Sequence, residues 1–360
     1  MLKSHIKDWL ALSFIPGLGK RTYLKLLEEF GHPRAVLEAK EEALKRASLS
    51  EGLIRAIKDY DWHKGVEKEL ERISNLNIRF ITYHDKNYPS LLKEIHDPPP
   101  FLYVKGDVEI LNRPMIAIVG SRLASVYGLK IATNLALELS GLGIIVVSGL
   151  ARGIDTAAHQ GAIRAGGKTI AVLGCGIDIV YPRENKRLYE KIPEAGALIS
   201  EFHLGTPPEA KNFPVRNRII SGLSLGVIIV EAAKRSGSLI TARLALEQGR
   251  EVFAVPGQID SFRSEGTHKL IKQGAKLVEK VEDVLEEIGQ FQDLYKKKEE
   301  TIQLKPGEEE IFLLLDTPKY LDELAQQLKR PIGEVSSRLM TMEIRGLVRQ
   351  LPGKQYVKRF

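Results

Sequence analysis

Cysteine is almost missing from this chain: Cys175 is the only one in 360 residues. A single thiol excludes an intrachain disulfide framework and any multi-cysteine zinc site, and it agrees with a reducing compartment. At the end of an apolar run, Cys175 reads as a small core hydrophobe. No apolar stretch reaches the roughly 18 to 20 uncharged residues that a membrane helix needs. The N-terminus, with Lys3, His5, Lys7 and Asp8, lacks a signal-peptide apolar segment. A cytoplasmic protein with no membrane partner is expected. No GxGxxG follows the first strand of the central region, so dinucleotide binding loses its main support. The histidines are scattered, and Asp155, His159, Asp178 and Glu231 have no spacing that favours acid/base work over capping and packing. No catalytic residue, metal or cofactor is expected.

What is present suits a soluble protein of two or three domains, with 43% hydrophobic residues to build cores. The formal charge of +7 favours acidic partners if it is segregated along the chain. It is. The tail "RGLVRQLPGKQYVKRF" carries Arg345, Arg349, Lys354, Lys358 and Arg359 with no acid, whereas "EKVEDVLEEI" (279–288) is rich in acid.

Residues 1–75 show apolar spacing of three and four, as at Leu24 and Leu27, then at Val36 and Leu37 after a break at Gly31 and Pro33. This predicts a small helical domain. Residues 76–112 turn extended, and three consecutive prolines (98–100) forbid a continuing helix, so they read as a connector packed on the next domain. Across 113–290, six apolar runs (IAIVG, IIVVSG, TIAVLG, ALIS, GVIIVEA, EVFAVPG) alternate with helical segments. That pattern predicts an α/β fold with a doubly wound parallel sheet. Residues 291–305 read as a polar linker. Residues 306–360 predict three short helices and a hairpin, with Ile332, Val335, Leu339 and Met342 on one helix face, in the outline of a winged helix.

Ligands of such sheets sit beyond the carboxyl ends of the strands. The loops there are "VGSR" (119–122), "SGLARGIDTAAH" (148–159), "GCGIDIVYPREN" (174–185), "FHLGTPPEAKNFPVRNR" (202–218) and "EAAKRSGSLITA" (231–242), and each carries arginine or lysine. Their convergence would place Arg122, Arg152, Arg183, Lys211, Arg216, Arg218 and Arg235 in one cationic groove. Alone, each would more often be an ion pair or a cap, and Gly153 and Asp155 fit turn and cap formers as well. An extended polyphosphate explains several arginines along one edge, whereas a mononucleotide needs one cradle and one base pocket. Phe213, between Lys211 and Arg216, fits a base-stacking platform or a core plug.

Two further motifs carry weaker signals. "FIPGLGKRTYLKLLEEFG" (14–31) resembles a helix-hairpin-helix element, in which glycines bring backbone amides to a DNA phosphate. A glycine-rich turn in a protein-docking helical domain fits it equally. "AIRAGGKT" (162–169) satisfies a permissive P-loop pattern, but here a helix ends and a strand follows, the reverse of a working P-loop.

At "VGSR", "GLARGIDTAAH", "NFPVRNRIISGLS", "SGSLITARLALEQGREVFAVPG" and "EGTHKLIKQGA" the sequence closely resembles the DprA (Smf) family of bacterial DNA-processing proteins. The resemblance implies a Rossmann-like domain flanked by an N-terminal helix-hairpin-helix/SAM-like helical domain and a C-terminal winged helix. It implies sequence-independent binding of single-stranded DNA, protection of incoming strands in natural transformation, and loading of RecA recombinase. A homodimer is implied through the later half of the Rossmann-like domain, where "EVFAVPG" supplies an outer strand and "LIKQGAKLV" supplies Leu270 and Ile271. By the same resemblance, Gly120, Ser121 and Arg122 form the phosphate-binding loop. Arg183 takes the basic position of "YPREN", and Phe213, Arg216, Asn217 and Arg218 match "NFPxRNR". With Arg152, Gly153 and Lys211, these are the expected DNA-binding residues. Two other classes are weighed against this reading. Nucleoside monophosphate hydrolases of the LOG type use "PGGxGTxxE", but here Gly257 is followed by Gln258, Gly266 and Thr267 come late, and Leu270 replaces the glutamate, so the acid/base group is missing. A scaffold for protein partners predicts an uncharged strand edge, against which the arginine-bearing loops speak.

Overall fold

In the computed structural model, which describes residues 2–291, 304–345 and 347–358, the chain opens with helices. They are α1 (Leu2–Ser13), α2 (Lys20–Phe30), α3 (Pro33–Glu38), α4 (Glu41–Arg46), α5 (Glu51–Asp59) and α6 (His63–Asn75). Local chemistry sets their ends. Gly31, at φ +76°, closes α2 in a conformation that other residues avoid, and Pro33 opens α3 where its missing N–H is not needed. The Ser50 side chain accepts from the Leu53 N–H at 3.3 Å to start α5. Leu27 and Val36 are buried, with Leu24 and Leu37 packed beside them. The same core contains Phe101, Tyr103, Ala171 and Leu198 of the sheet, so the helices cover part of one sheet face.

The sheet contains β1 (Arg79–Thr82), β2 (Phe101–Gly106), β3 (Met115–Gly120), β4 (Ile145–Ser148), β5 (Thr169–Val172), β6 (Gly196–Ser200), β7 (Gly226–Val230), β8 (Glu251–Ala254) and β9 (Lys276–Leu277). Between them run α7 (Ser90–Lys93), α8 (Val126–Gly141), α9 (Ile154–Arg164), α10 (Lys186–Ala195), α11 (Asn212–Gly222), α12 (Ser238–Glu247) and α13 (Glu265–Lys272); α14 (Val281–Glu287) follows. The strand order is β1-β2-β6-β5-β4-β3-β7-β8-β9. Strands β3 to β9 are parallel, with Ala117 of β3 level with Val147 of β4 and Val227 of β7. Their Val- and Ile-rich runs are buried because helices and loops cover both faces.

Two features differ from expectation. The segment read as an extended connector adds β1 and β2 to the sheet, antiparallel to each other and to β6. Its prolines sit just before β2, where Tyr83 still donates to the Pro100 carbonyl at 2.8 Å. The strand in "EVFAVPG" is not the outer one. Strand β9 pairs beyond it, and its two residues are too short to carry a periodic signal. Leu270 is buried in the core and Ile271 packs against that core. Cys175 is also buried, and burial pushes its thiol up to about 11.

The described residues fall into two compact units, within Met1–Gly289 and within Gln290–Phe360. The second contains α15 (Glu309–Leu314), β10 (Lys319–Tyr320), α16 (Leu321–Leu328), α17 (Ile332–Ile344), β11 (Val348–Leu351) and β12 (Gln355–Lys358), with an antiparallel sheet in the order β10-β12-β11. This is a winged helix. Val335, Leu339 and Met342 are buried with Ile311 and Leu324, but Ile332, the first residue of α17, is exposed because it precedes the turn that meets the core. Of the basic tail, Arg345 pairs with Glu308 and Lys358 with Asp316, each at 2.6 Å, while Arg359 lies outside the described residues. So does most of the 291–305 linker, namely 292–303. No helix among the described residues is long and apolar enough to cross a membrane.

Candidate nucleic-acid interface

The loops after β3, β4 and β5 meet the start of α11 at the carboxyl edge of the sheet. Gly120 ends β3, Ser121 is half-buried and Arg122 is exposed. The Ile154 N–H donates to the Ser121 carbonyl at 3.2 Å, which ties the β3 loop to the start of α9. Gly153 permits that approach: at φ +75°, a Cβ there would fall 2.3 Å from the Ser121 oxygen. Asp155, in the first turn of α9, accepts from the Gly149 and Ala151 amides at 3.1 and 3.3 Å and so holds the β4 loop. Burial raises its carboxyl pKa, against the pull of Arg216.

Phe213 is the centre of the arrangement. Its ring lies 5.5 Å from that of Tyr181, and the Arg122 guanidinium sits 5.4 Å from its centroid. It rests against Gly174, where a Cβ would come within 2.8 Å of the ring. Arg122 makes no ion pair among the described residues, and neither do Arg183 and Arg235, both exposed on neighbouring loops. Arg152 is also exposed but pairs with Glu184, and Lys211 pairs with Glu209 at 2.7 Å. These two charges are partly neutralised at the surface, where such pairs are weak and exchangeable. Asn217 is half-buried and accepts from the Arg216 Nε at 3.2 Å.

The structure does not bring Arg216 and Arg218 to the open edge; each is only 4% exposed. Arg216 turns inward, donating from Nη1 to the carbonyls of Gly149, at 2.9 Å, and Val172. Burial holds its guanidinium down to about 10. It braces the ends of β4 and β5 under the platform, 5.9 Å from the Phe213 ring. Arg218 points to the other side of α11, as two residues' separation on a helix requires. There it pairs with Glu201 at 2.7 Å and Asp97 at 2.9 Å. Glu201 also meets Lys20 at 2.5 Å; burial alone would raise its carboxyl pKa, but Arg218 and Lys20 hold it below the ordinary value. Arg218 therefore belongs to a buried charge cluster that includes Lys20 at the start of α2, and not to the groove where its sequence position had suggested it.

Sequence reasoning missed Tyr181. Its position in "VYPREN", one residue from a proline and two from Arg183, was the available signal. The P-loop-like stretch has the order read from sequence, with α9 ending before β5. Its Thr169 hydroxyl donates to the Val146 carbonyl at 2.7 Å, and Lys168 lies 3.7 Å from Asp107.

Comparison with known proteins agrees with this architecture. Residues 79–289 match the family described as DNA recombination-mediator protein A, and residues 297–354 match the DprA winged helix domain. The chain is 42% identical over 301 residues to Protein Smf of Escherichia coli strain K12, covering 81% of this chain and 80% of that one. The solved structure of DNA processing protein A from Streptococcus pneumoniae is 38% identical, with a TM-score of 0.70 over 80% of this chain and 98% of that chain. That of DNA processing protein A from Helicobacter pylori, described for its single-stranded DNA binding mode, is 30% identical with a TM-score of 0.54, covering 62% of this chain and 98% of that chain. With the family match spanning more than half its length and the family's winged helix matched after it, this chain belongs to the DprA (Smf) family.

Proposed function

We propose that this protein binds single-stranded DNA without sequence preference and acts by binding, not catalysis. The observation that carries the reading is the platform of Arg122, Phe213 and Tyr181, which offers an unpaired cation beside two aromatic rings. A single strand presents phosphates and open base faces together, and such a surface meets both. The single-stranded DNA binding of the Helicobacter pylori relative supports the same reading.

In this proposal Gly120, Ser121, Arg122, Arg152, Gly153, Arg183, Lys211, Phe213 and Asn217 face the strand. Arg216 positions the platform from below, and Arg218 lies outside the interface. The proposed Rossmann-like domain, 113–290, carries the strand, beside the helical domain 1–75, the segment 76–112, the linker 291–305 and the winged helix 306–360. Family membership supports a wider role in DNA processing: protection of incoming strands in natural transformation and loading of RecA, by a cytoplasmic homodimer. Leu270, buried in the core where a LOG-type hydrolase needs its glutamate, supports binding over hydrolysis.

Labelled single- and double-stranded oligonucleotides titrated across a salt series, with and without ATP and magnesium, test the proposal. Tighter binding of single strands, a steep loss of affinity with salt and indifference to ATP are expected. Equal, salt-insensitive affinity for duplex and single strand would overturn it.

A further inference from the structure

A second crevice opens on the other flank of the β3 loop, and the DNA platform leaves it unused. From β3 the chain fills the sheet in one direction through β4, β5 and β6, then in the other through β7, β8 and β9. The reversal lies between β3 and β7. Open α/β sheets take ligands in the crevice beyond the carboxyl ends of the strands at such a reversal. A cavity of about 600 Å³ lies there, with Ser125 and Tyr127 from the segment after β3, Glu231 from the end of β7, and Gln258, Ser261 and Arg263 from the loop after β8. That volume suits a nucleotide-sized molecule.

Two groups of opposite charge line it. Glu231 is 8% exposed and sits at φ +55°, a left-handed conformation that non-glycine residues adopt mainly where surroundings impose it. Its carboxylate accepts from the Ser125 N–H at 2.8 Å and from the Ser125 hydroxyl. An ionised carboxylate offers about four lone-pair sites, so acceptor capacity remains for a hydroxyl donor. The Nε of Arg263 donates to the Leu123 carbonyl at 2.8 Å, which fixes the guanidinium. Its Nη groups make no hydrogen bond or ion pair among the described residues, leaving a fork of the shape that phosphate accepts. The exposed ring of Tyr127 lines the crevice, and the Phe262 ring lies 4.5 Å from the Arg263 guanidinium, packed on its face and not on its donor edge.

We infer that this crevice binds a nucleoside monophosphate, with a sugar hydroxyl on Glu231, the phosphate on Arg263 and the base against Tyr127. The inference concerns binding alone and does not rest on the DNA reading. The same chemistry belongs to a free nucleotide and to the 5′-phosphorylated terminal nucleotide of a strand. Calorimetric titration of the full chain with AMP and with adenosine addresses the first source. Oligonucleotides with and without a 5′-phosphate address the second. Arg263→Ala, which removes a partly exposed side chain, and Ser261→Trp, which fills the crevice, spare the fold-bearing Glu231.

A free-nucleotide site gives saturable AMP binding that Arg263→Ala weakens about ten-fold, the loss of one charge-assisted contact, with any adenosine binding unchanged. A strand-end site gives tighter binding of the 5′-phosphorylated oligonucleotide, an advantage that disappears in Arg263→Ala. Ser261→Trp abolishes either signal. The inference is overturned if millimolar AMP does not saturate and the 5′-phosphate brings no advantage, or if either signal survives both folded variants. Affinity for hydroxyl-ended strands reads the Arg122 and Phe213 platform separately, so the two readings fail independently.

Discussion

Arg122 and Phe213 touch each other, yet they would engage a strand through different physics. Each phosphate neutralised on a single strand contributes about 0.7 to the slope of log affinity against log salt. Arg122→Ala should therefore flatten that slope by about one contact. Phe213→Ala removes a stacking surface worth roughly 1 to 3 kcal/mol per base and should weaken binding at every salt concentration with little change in slope. Fluorescence anisotropy on both variants separates the effects; a wild-type slope and affinity in folded Arg122→Ala would remove the phosphate contact. Arg218 makes the opposite prediction. Its charge is committed to Glu201 and Asp97, so Arg218→Ala should cost roughly 3 kcal/mol of stability, as loss of one partner of a buried pair does, while leaving the salt slope intact. Urea unfolding and the same DNA titration check both halves.

At the scale of elements, α9 is fastened to the sheet by a buried polar contact whose state depends on pH. His159 of α9 meets the Thr169 hydroxyl of β5 at 2.7 Å, and burial, reinforced by Arg216, holds its pKa at about 3. The folded protein therefore keeps this imidazole neutral while the unfolded chain protonates it near its ordinary value of 6.5. Because the unfolded state binds the extra proton, stability should fall by roughly 1.4 kcal/mol per pH unit below about pH 6 until the folded pKa is reached. The lowered carboxyl of Glu201 adds its own loss only below its unfolded value of 4.5. Between pH 6.5 and about 5, urea midpoints should drop for the wild type and stay nearly level for His159→Gln. Parallel curves for the two proteins would show that this histidine does not set the slope.

For the whole molecule, the proposed homodimer loses one of its motives and keeps another. Strand β8 is covered by β9, and Leu270 is inside, so neither offers a free apolar edge. Strand β9 is the true edge on that side, short as edges that avoid pairing tend to be, with Leu277 partly exposed. Family membership remains the support. Light scattering of the full chain at micromolar concentration should give twice the mass of 40.2 kDa; a monomer mass would count against the dimer.

The sheet was legible because its parallel strands β3 to β8 are buried almost throughout and so are written as runs rich in Val, Ile, Leu and Ala, whereas the two-residue β9 is not. The winged helix was legible through its helical spacing and Pro-Gly turn. The loops of the candidate site could also be named, because the rule that ligands lie beyond strand carboxyl ends needs only the strands and the segments that follow them. What local sequence could not determine was where each arginine is spent. Arg216 and Arg218 stand two residues apart in one helix, and neither composition nor spacing distinguishes them from Arg122. Only the packed fold puts the Gly149 and Val172 carbonyls around the first and Glu201, Asp97 and Lys20 around the second. The same holds for the crevice at Glu231, which exists because strands β3 and β7, more than 100 residues apart in sequence, lie side by side. Apolar burial is encoded by residue type and periodicity, whereas a charge acquires its role from partners that long-range folding delivers.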